Sequence, residues 1–136
     1  KALPSGKVYA LDIQEEMTAA CQRRVQEAHL GNVEVMLTKE TRFPLERESL
    51  DGAFMAFVLH SQIDKAGFLR SVMDLLKPGG WLAQLNWHLI PEATQGPPPE
   101  RRIAVDDVIR LVGEAGSRTV LRRELNDEQY MMVSLK

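Results

Sequence analysis

The sequence predicts an α/β fold: an open, mostly parallel sheet with helices on both faces and an antiparallel hairpin at its C-terminal end. Two observations predict it. Short apolar segments alternate with stretches of helical periodicity along the chain, and the last two apolar segments are joined only by a short polar turn. The 136 residues suffice for one core, so we expect residues 1–136 to form a single domain.

The N-terminal third predicts a strand, a helix and a second strand. Val8 to Ile13 form a short apolar segment with a carboxylate, Asp12, near its end. The apolar residues that follow recur at helical spacing, at Met17, Ala20, Cys21, Val25 and Ala28. Gly31-Asn32 ends this helix, and Val33 to Leu37 form the next strand.

The middle of the chain continues the alternation. Residues 45–51 are polar and predict a surface link, after which Ala53 to Leu59 run apolar without alternation, as in a strand covered on both faces. A helical stripe from Phe68 to Leu76 ends at Pro78-Gly79-Gly80. Strand character then resumes from Trp81 to Trp87.

The C-terminal third predicts a loop, a helix and a hairpin. Gly96-Pro-Pro-Pro99 makes residues 92–102 a stiff surface connection within the domain. Residues 105–115 carry a third helical stripe. Thr119 to Glu124 and Gln129 to Leu135 then predict an antiparallel pair, joined through Asn126-Asp127, that closes the sheet.

Composition excludes several function classes. A formal net charge of -2, with no basic run longer than an arginine pair, predicts no nucleic-acid partner. The longest apolar run is too short to span a bilayer and the N-terminus has no targeting pattern, so we expect no membrane segment and a cytoplasmic location. The single Cys21 fits a reducing compartment or a small buried residue. Its spacing to the three histidines matches no metal site, so no metal is predicted.

Five pieces of sequence carry a resemblance to a known family. In chain order they are Val8-Tyr-Ala-Leu-Asp-Ile13 with Met17, Asn32-Val33-Glu34-Val35, Phe43-Pro44-Leu45 with Ser49-Leu50-Asp51, Phe57-Val58-Leu59-His60, and Leu76-Lys-Pro-Gly-Gly-Trp81. By their order and spacing the chain resembles the class I S-adenosylmethionine-dependent methyltransferases, in their small-molecule branch, over essentially its whole length. The resemblance implies a Rossmann-like sheet, S-adenosylmethionine as cofactor and a small-molecule substrate.

The resemblance assigns one set of cofactor-binding residues to the first two strands. Asp12 matches the carboxylate that accepts hydrogen bonds from both ribose hydroxyls, although an Asp here also caps the following helix. Ile13 matches the apolar floor under the adenine ring, or lies in the core. Where the family has an Asp for the adenine amino group, this chain has Lys39 and Glu40. Either Glu40, shifted by one position, or a backbone carbonyl would then accept that hydrogen bond.

A second set of candidates lies at the ends of the next two strands. By the resemblance, the backbone of Ala56, Phe57 and Val58 lines the methionine part of the cofactor. The candidates for the substrate pocket are His60, Asn86, Trp87 and His88, which follow or end these strands. His60 is also the candidate catalytic base, and the alternative is a hydrogen-bonded surface histidine.

The glycine-rich turn that opens the family's fold has no counterpart in this sequence. In the family that turn follows a first strand, which lies between the strands equivalent to residues 7–13 and 53–59. One interpretation is the C-terminal portion of a methyltransferase. Another is a non-catalytic binding module in which the two flanking strands pair directly, or two chains form a homodimer across the gap. A nicotinamide-binding domain fits less well, because its Gly-x-Gly-x-x-Gly turn is absent too. The sequence favours a methyltransferase-type domain with an incomplete cofactor site.

Overall fold

The structure is a computed structural model that describes residues 6–39 and 41–136. Its elements are β1 (Val8–Asp12), α1 (Glu15–Glu27), β2 (Val33–Leu37), β3 (Leu50–Ala56), α2 (Lys65–Leu75), β4 (Leu76–Trp87), α3 (Val105–Glu114), β5 (Arg118–Asn126) and β6 (Gln129–Leu135). Two 3-10 turns lie at Leu59–Ser61 and Pro99–Arg101. The chain divides into two compact units, here the N-terminal unit (Lys1–Pro44) and the C-terminal unit (Leu45–Lys136). The predicted α/β class is confirmed, as is the closing antiparallel hairpin.

The N-terminal unit is a strand, helix, strand unit. Strands β1 and β2 pair in parallel, with Val8 opposite Val33 and Asp12 opposite Leu37. Helix α1 connects them, and it begins with two acidic residues in the first turn, where the helix dipole favours negative charge. Its Val25 is buried. The predicted bounds of β2 are confirmed, whereas α1 ends at Glu27, before the Gly31-Asn32 pair that was expected to end it.

The C-terminal unit holds a four-stranded sheet in the order β3-β4-β6-β5. Strands β3 and β4 are parallel, and β6 is antiparallel to both β4 and β5. The predicted hairpin forms, although its turn is Asp127-Glu128, one residue later than expected. Strand β3 is an edge strand in this sheet, and its Phe54 side chain is 63% exposed.

The predicted strand from Ala53 to Leu59 is shifted in the structure. Strand β3 begins three residues earlier, inside the segment expected to be a polar link, and ends at Ala56. It stops there because Phe57 has a left-handed backbone (φ 58°), which an extended strand does not allow. The chain then turns into the 3-10 turn at Leu59–Ser61.

Pro78-Gly79-Gly80 forms a bulge in a strand rather than a turn between a helix and a strand. Asp64 caps the N-terminus of helix α2, since its Oδ1 accepts a hydrogen bond of 2.8 Å from the Gly67 amide, and the helix ends before the bulge. Strand β4 starts at once, and its pairing with β3 skips residues 77–80. Gly79 takes a positive φ of 79°, which explains why glycine suits this position.

The core of the C-terminal unit lies on one face of its sheet. Apolar residues with no measurable exposure come from both helices of this unit and from strands β4 and β6: Leu69, Leu76, Leu82, Val108, Val112, Tyr130 and Met132. Each large apolar side chain buried in this way contributes about 1.5–3 kcal/mol. Among the residues that the structure describes, no helix is both long enough and apolar enough to cross a membrane.

Candidate active site

Asp12 stands at the end of β1 with one carboxylate oxygen engaged. Its Oδ1 accepts a hydrogen bond of 2.9 Å from the backbone amide of Gln14, which is itself the N-cap residue of α1. Its Oδ2 has no partner within the described part of the chain. Asp12 therefore fixes the turn into the helix with one oxygen and has the other available for a ligand hydroxyl, so the two roles considered from the sequence are compatible.

The neighbours of Asp12 suit the adenosine part of a nucleoside cofactor. Ile13 is 53% exposed, so it does not belong to the core and can cover a flat apolar ring. The Thr38 amide donates a hydrogen bond of 2.8 Å to the carbonyl of Asp12, which brings the end of β2 beside it. Lys39 is exposed and forms a β-bridge with Arg42. Glu40, the other candidate for adenine recognition, lies outside the described residues.

In the C-terminal unit, the end of β3 is formed by Ala56, Phe57 and Val58. Ala56 is exposed, and the Phe57 amide donates to the carbonyl of Leu85 at 2.9 Å. The Val58 carbonyl already accepts from the backbone amide (3.1 Å) and the hydroxyl (2.7 Å) of Ser61. The Phe57 amide and the Val58 carbonyl are therefore already paired within the chain, and the role of Ala56, Phe57 and Val58 in lining a ligand stays a prediction.

His60 lies in the 3-10 turn after β3 and is half-buried. Burial lowers the pKa of its imidazole below the ordinary 6.5, and the positive charges of Arg101, Lys65 and Arg102 lower it further. At neutral pH the ring is therefore uncharged and able to accept a proton. This is the protonation state that a general base needs.

Trp87 ends β4 with its ring enclosed on several sides. The Phe57 ring lies 4.6 Å from it between centroids, and the guanidinium of Arg102 lies 5.2 Å from the ring centroid. A Cβ atom at Gly96 would lie only 2.5 Å from the indole, so the loop after β4 can pass over this ring only with glycine there. Trp87 is thus fixed in one orientation.

Asn86 and His88 flank Trp87 and point to the opposite face of the sheet. Asn86 is 7% exposed, and its Nδ2 has no hydrogen-bond partner in the described ranges. Nε2 of His88 lies 2.5 Å from Oε2 of Glu124, and the His88 ring lies 4.8 Å from that of Tyr130. The contact with His88 is the main cause that lowers the pKa of Glu124.

Sequence reasoning missed the buried ion pair of Arg102 and Glu128. Their side chains are 0% and 12% exposed, and Nη2 of Arg102 lies 3.0 Å from Oε2 of Glu128. Arg102 also donates to the carbonyls of Pro97 (2.9 Å), His88 (3.0 Å) and Gln95. Neither residue belongs to a periodic pattern, so the sequence carried no signal for the pair.

Glu128 is a second anchor of the loop after β4. Its carboxylate accepts hydrogen bonds from the amide (2.9 Å) and the hydroxyl of Thr94 and from the amide of Gln95 (3.4 Å). These hydrogen bonds hold the pKa of Glu128 at about 2, and the bond from the Thr94 hydroxyl has the largest effect. An open cavity of about 350 Å³ is lined by the same loop, Ala93 to Pro99.

The depressed pKa of Glu128 predicts a specific loss of stability in acid. The pKa of Glu128 is about 2 in the folded protein and 4.5 in the unfolded chain. The stabilisation that the ionised carboxylate gives to the folded state is therefore complete above pH 4.5 and is lost as the pH falls towards 2. The Glu128→Gln variant should lose this part of the acid dependence, measured as the urea midpoint between pH 2.5 and 6. The exposed neighbour offers a control, Asp127→Asn, which should keep the wild-type slope. An unchanged slope in Glu128→Gln would contradict the assignment.

Comparison with known proteins agrees with the sequence resemblance. The methyltransferase domain family matches residues 1–84. A demethylmenaquinone methyltransferase from Listeria welshimeri is 36% identical over 83 residues, which are 61% of this chain and 35% of that protein. The enzyme of the same name from Lactococcus lactis is 31% identical over 77 residues, which are 57% of this chain and 31% of that protein. The chain thus spans about a third of the length of these curated relatives.

Solved structures share the fold along nearly the whole chain. A SAM-dependent methyltransferase from Aquifex aeolicus superposes with a TM-score of 0.88 at 33% identity, covering 96% of this chain and 69% of that one. A SAM-dependent methyltransferase from Methanosarcina mazei gives a TM-score of 0.81 at 14% identity, covering 96% and 82%, and shows the likeness in fold alone. The chain therefore belongs to the class I S-adenosylmethionine-dependent methyltransferase family, whose cofactor is S-adenosylmethionine.

Proposed function

We propose that the chain transfers a methyl group from S-adenosylmethionine to a small-molecule acceptor. The observation that carries the proposal is Asp12, a carboxylate at the end of β1 with one oxygen bound to the backbone and the other available for a sugar hydroxyl. Exposed Ile13 beside it supplies the apolar surface that an adenine ring needs. Both fit the adenosine part of the cofactor.

The proposal gives each candidate residue a separate role in binding or proton transfer. When bound, S-adenosylmethionine supplies an electrophilic methyl group. In the N-terminal unit, Asp12 would hold the ribose and Ile13 would cover the adenine. In the C-terminal unit, the resemblance assigns the methionine part to the backbone of Ala56, Phe57 and Val58. His60, uncharged at neutral pH, takes up the proton that the acceptor releases on methylation. No metal is needed, because alignment and desolvation are the main requirements of this displacement.

The acceptor that we propose is a small molecule with an apolar ring system. The relatives named demethylmenaquinone methyltransferases support this class. So do two apolar side chains after the carboxyl ends of β3 and β4, Ile63 at 88% and Leu89 at 51% exposure. Water-exposed apolar side chains beyond strand ends favour contact with an apolar ligand.

A calorimetric titration of S-adenosylhomocysteine into the 136-residue chain tests the proposal. The reaction product needs no acceptor to bind, so micromolar binding would support the cofactor site in this chain. Absence of heat at millimolar ligand would contradict it. With binding established, transfer of a labelled methyl group to a soluble short-chain demethylated naphthoquinol tests the acceptor class, with naphthalene lacking any hydroxyl as the control.

A non-catalytic, homodimeric binding module is the alternative, and we propose the homodimer as a property to test in either case. Edge strand β3 supports it, since Phe54 on that strand is 63% exposed and its outer backbone groups can pair with another strand. Light scattering should give twice the chain mass, and Phe54→Lys should give a monomer. A wild-type monomer would contradict the homodimer. A cytoplasmic location goes with both functions, supported by the free Cys21.

A further inference from the structure

We propose that Arg102 is the positioning residue of the acceptor pocket, and that its anchor Glu128 makes the loop of residues 93–99 a fixed wall rather than a mobile lid. The inference rests on the proposed function of the same site. It adds two residues, on the loop after β4 and on the β5-β6 turn, that nothing in the sequence singled out. Neither needs to touch the reacting atoms.

The Arg102 side chain is held in place by burial and by hydrogen bonds from every nitrogen of its guanidinium. Its side chain is fully buried, and all three of its nitrogen atoms donate hydrogen bonds. Nε binds the Pro97 carbonyl, Nη1 binds the His88 carbonyl, and Nη2 is shared by Gln95 and Glu128. A planar guanidinium can meet partners in several directions at once, whereas a lysine ammonium acts as a point charge. The site is therefore specific for arginine.

Arg102 acts on three of the four residues that the sequence made candidates for the substrate pocket. Its guanidinium stacks over the Trp87 ring at 5.2 Å, and its Nη1 holds the His88 carbonyl at 3.0 Å. Its positive charge contributes to keeping His60 uncharged. One side chain thus orders an aromatic wall and a strand end, and it has the smallest effect of the three nearby cations that lower the pKa of the candidate base.

The loop is tied to the ion pair from both sides. The Gln95 amide donates to Glu128 while the Gln95 carbonyl accepts from Arg102, and the Thr94 amide donates to Glu128 at 2.9 Å. The loop cannot swing away from β4 without breaking a buried ion pair. We therefore expect the acceptor to enter a pocket that is already formed, so that Arg102 governs acceptor affinity more than turnover.

Amide hydrogen exchange and histidine titration in the full chain test the positioning role without any ligand. In Arg102→Lys, and more strongly in Arg102→Met, protection of the Thr94 and Gln95 amides should fall by at least about tenfold, because their acceptor Glu128 loses its fixed partner. The matched control is the exposed neighbour, Arg101→Met. It should leave this protection unchanged while raising the midpoint at which His60 titrates, since Arg101 has the larger electrostatic effect on that ring. Unchanged protection in both Arg102 variants would overturn the proposal.

Kinetics with the demethylated naphthoquinol then test the link to the acceptor. Arg102→Lys should raise the KM for the acceptor by about tenfold with kcat within about twofold, as expected for a loss of binding that is the same in ground and transition states. Lost protection with an unchanged KM would overturn the positioning role. If the wild-type chain does not bind S-adenosylhomocysteine, it is the proposed function that fails. The exchange result then decides by itself whether Arg102 orders this rim.

Discussion

Replacing Asp12 by alanine is expected to weaken S-adenosylhomocysteine binding by about 100-fold or more. A carboxylate that accepts hydrogen bonds from a ribose contributes about 1.5–3 kcal/mol for each bond, and 2.7 kcal/mol corresponds to 100-fold. Folding should change little, because the carboxylate's one hydrogen bond to the described part of the chain goes to the neighbouring Gln14 amide. Calorimetric titration and the melting temperature measure the two effects separately.

Two further variants separate ligand binding from helix capping. Asp12→Asn keeps an oxygen for the Gln14 amide but loses the negative charge and one acceptor, so it should bind weakly and melt like the wild type. Asp64 provides the matched control, because its carboxylate accepts from the Gly67 amide at the start of α2. Asp64→Ala should lose about 1 kcal/mol of stability and retain full binding. Strong binding by Asp12→Ala together with a large loss of stability would show that capping is the main role of Asp12.

The second large effect concerns the core of the C-terminal unit. Leu82 lies on β4 in the middle of the sheet and has no measurable exposure. Leu82→Ala should cost about 2–5 kcal/mol, because the lost transfer free energy is added to that of a cavity. Leu125 on β5 is 45% exposed, so Leu125→Ala should stay within about 1 kcal/mol of the wild type. Urea unfolding measures both, and similar losses in the two variants would contradict the assigned core.

The sequence predicted the elements wherever one periodicity dominates a segment. Residues 33–37 form a short, mainly apolar segment between polar residues, and β2 has the same bounds. Prediction was wrong where the backbone, not the side-chain pattern, ends an element. Apolar Phe57 looked like part of a strand, yet its left-handed φ ends β3 one residue earlier. Polar Ser49 and Asp51 likewise hid a strand that starts at Leu50.

The candidate site was predictable only where a short motif carries the chemistry. Asp12 became a candidate because a carboxylate at the end of an apolar strand is a local pattern that a sequence displays. The pair of Arg102 and Glu128 was not found, because its residues are 26 positions apart and lie in a loop and a turn. Such pairs depend on the tertiary path of the chain. A single sequence does not reveal which two charges share one buried position.

The strand order of the C-terminal unit has a consequence for folding. Strand β6 comes last in the chain, yet it lies between β4 and β5 and supplies hydrogen bonds to both. During synthesis β4 therefore emerges with one edge unpaired, and it stays so until Gln129–Leu135 leave the ribosome. Until then, the apolar residues of β4 lack the neighbouring strand β6. The four-stranded sheet therefore cannot be completed before residues 129–135 have been synthesised.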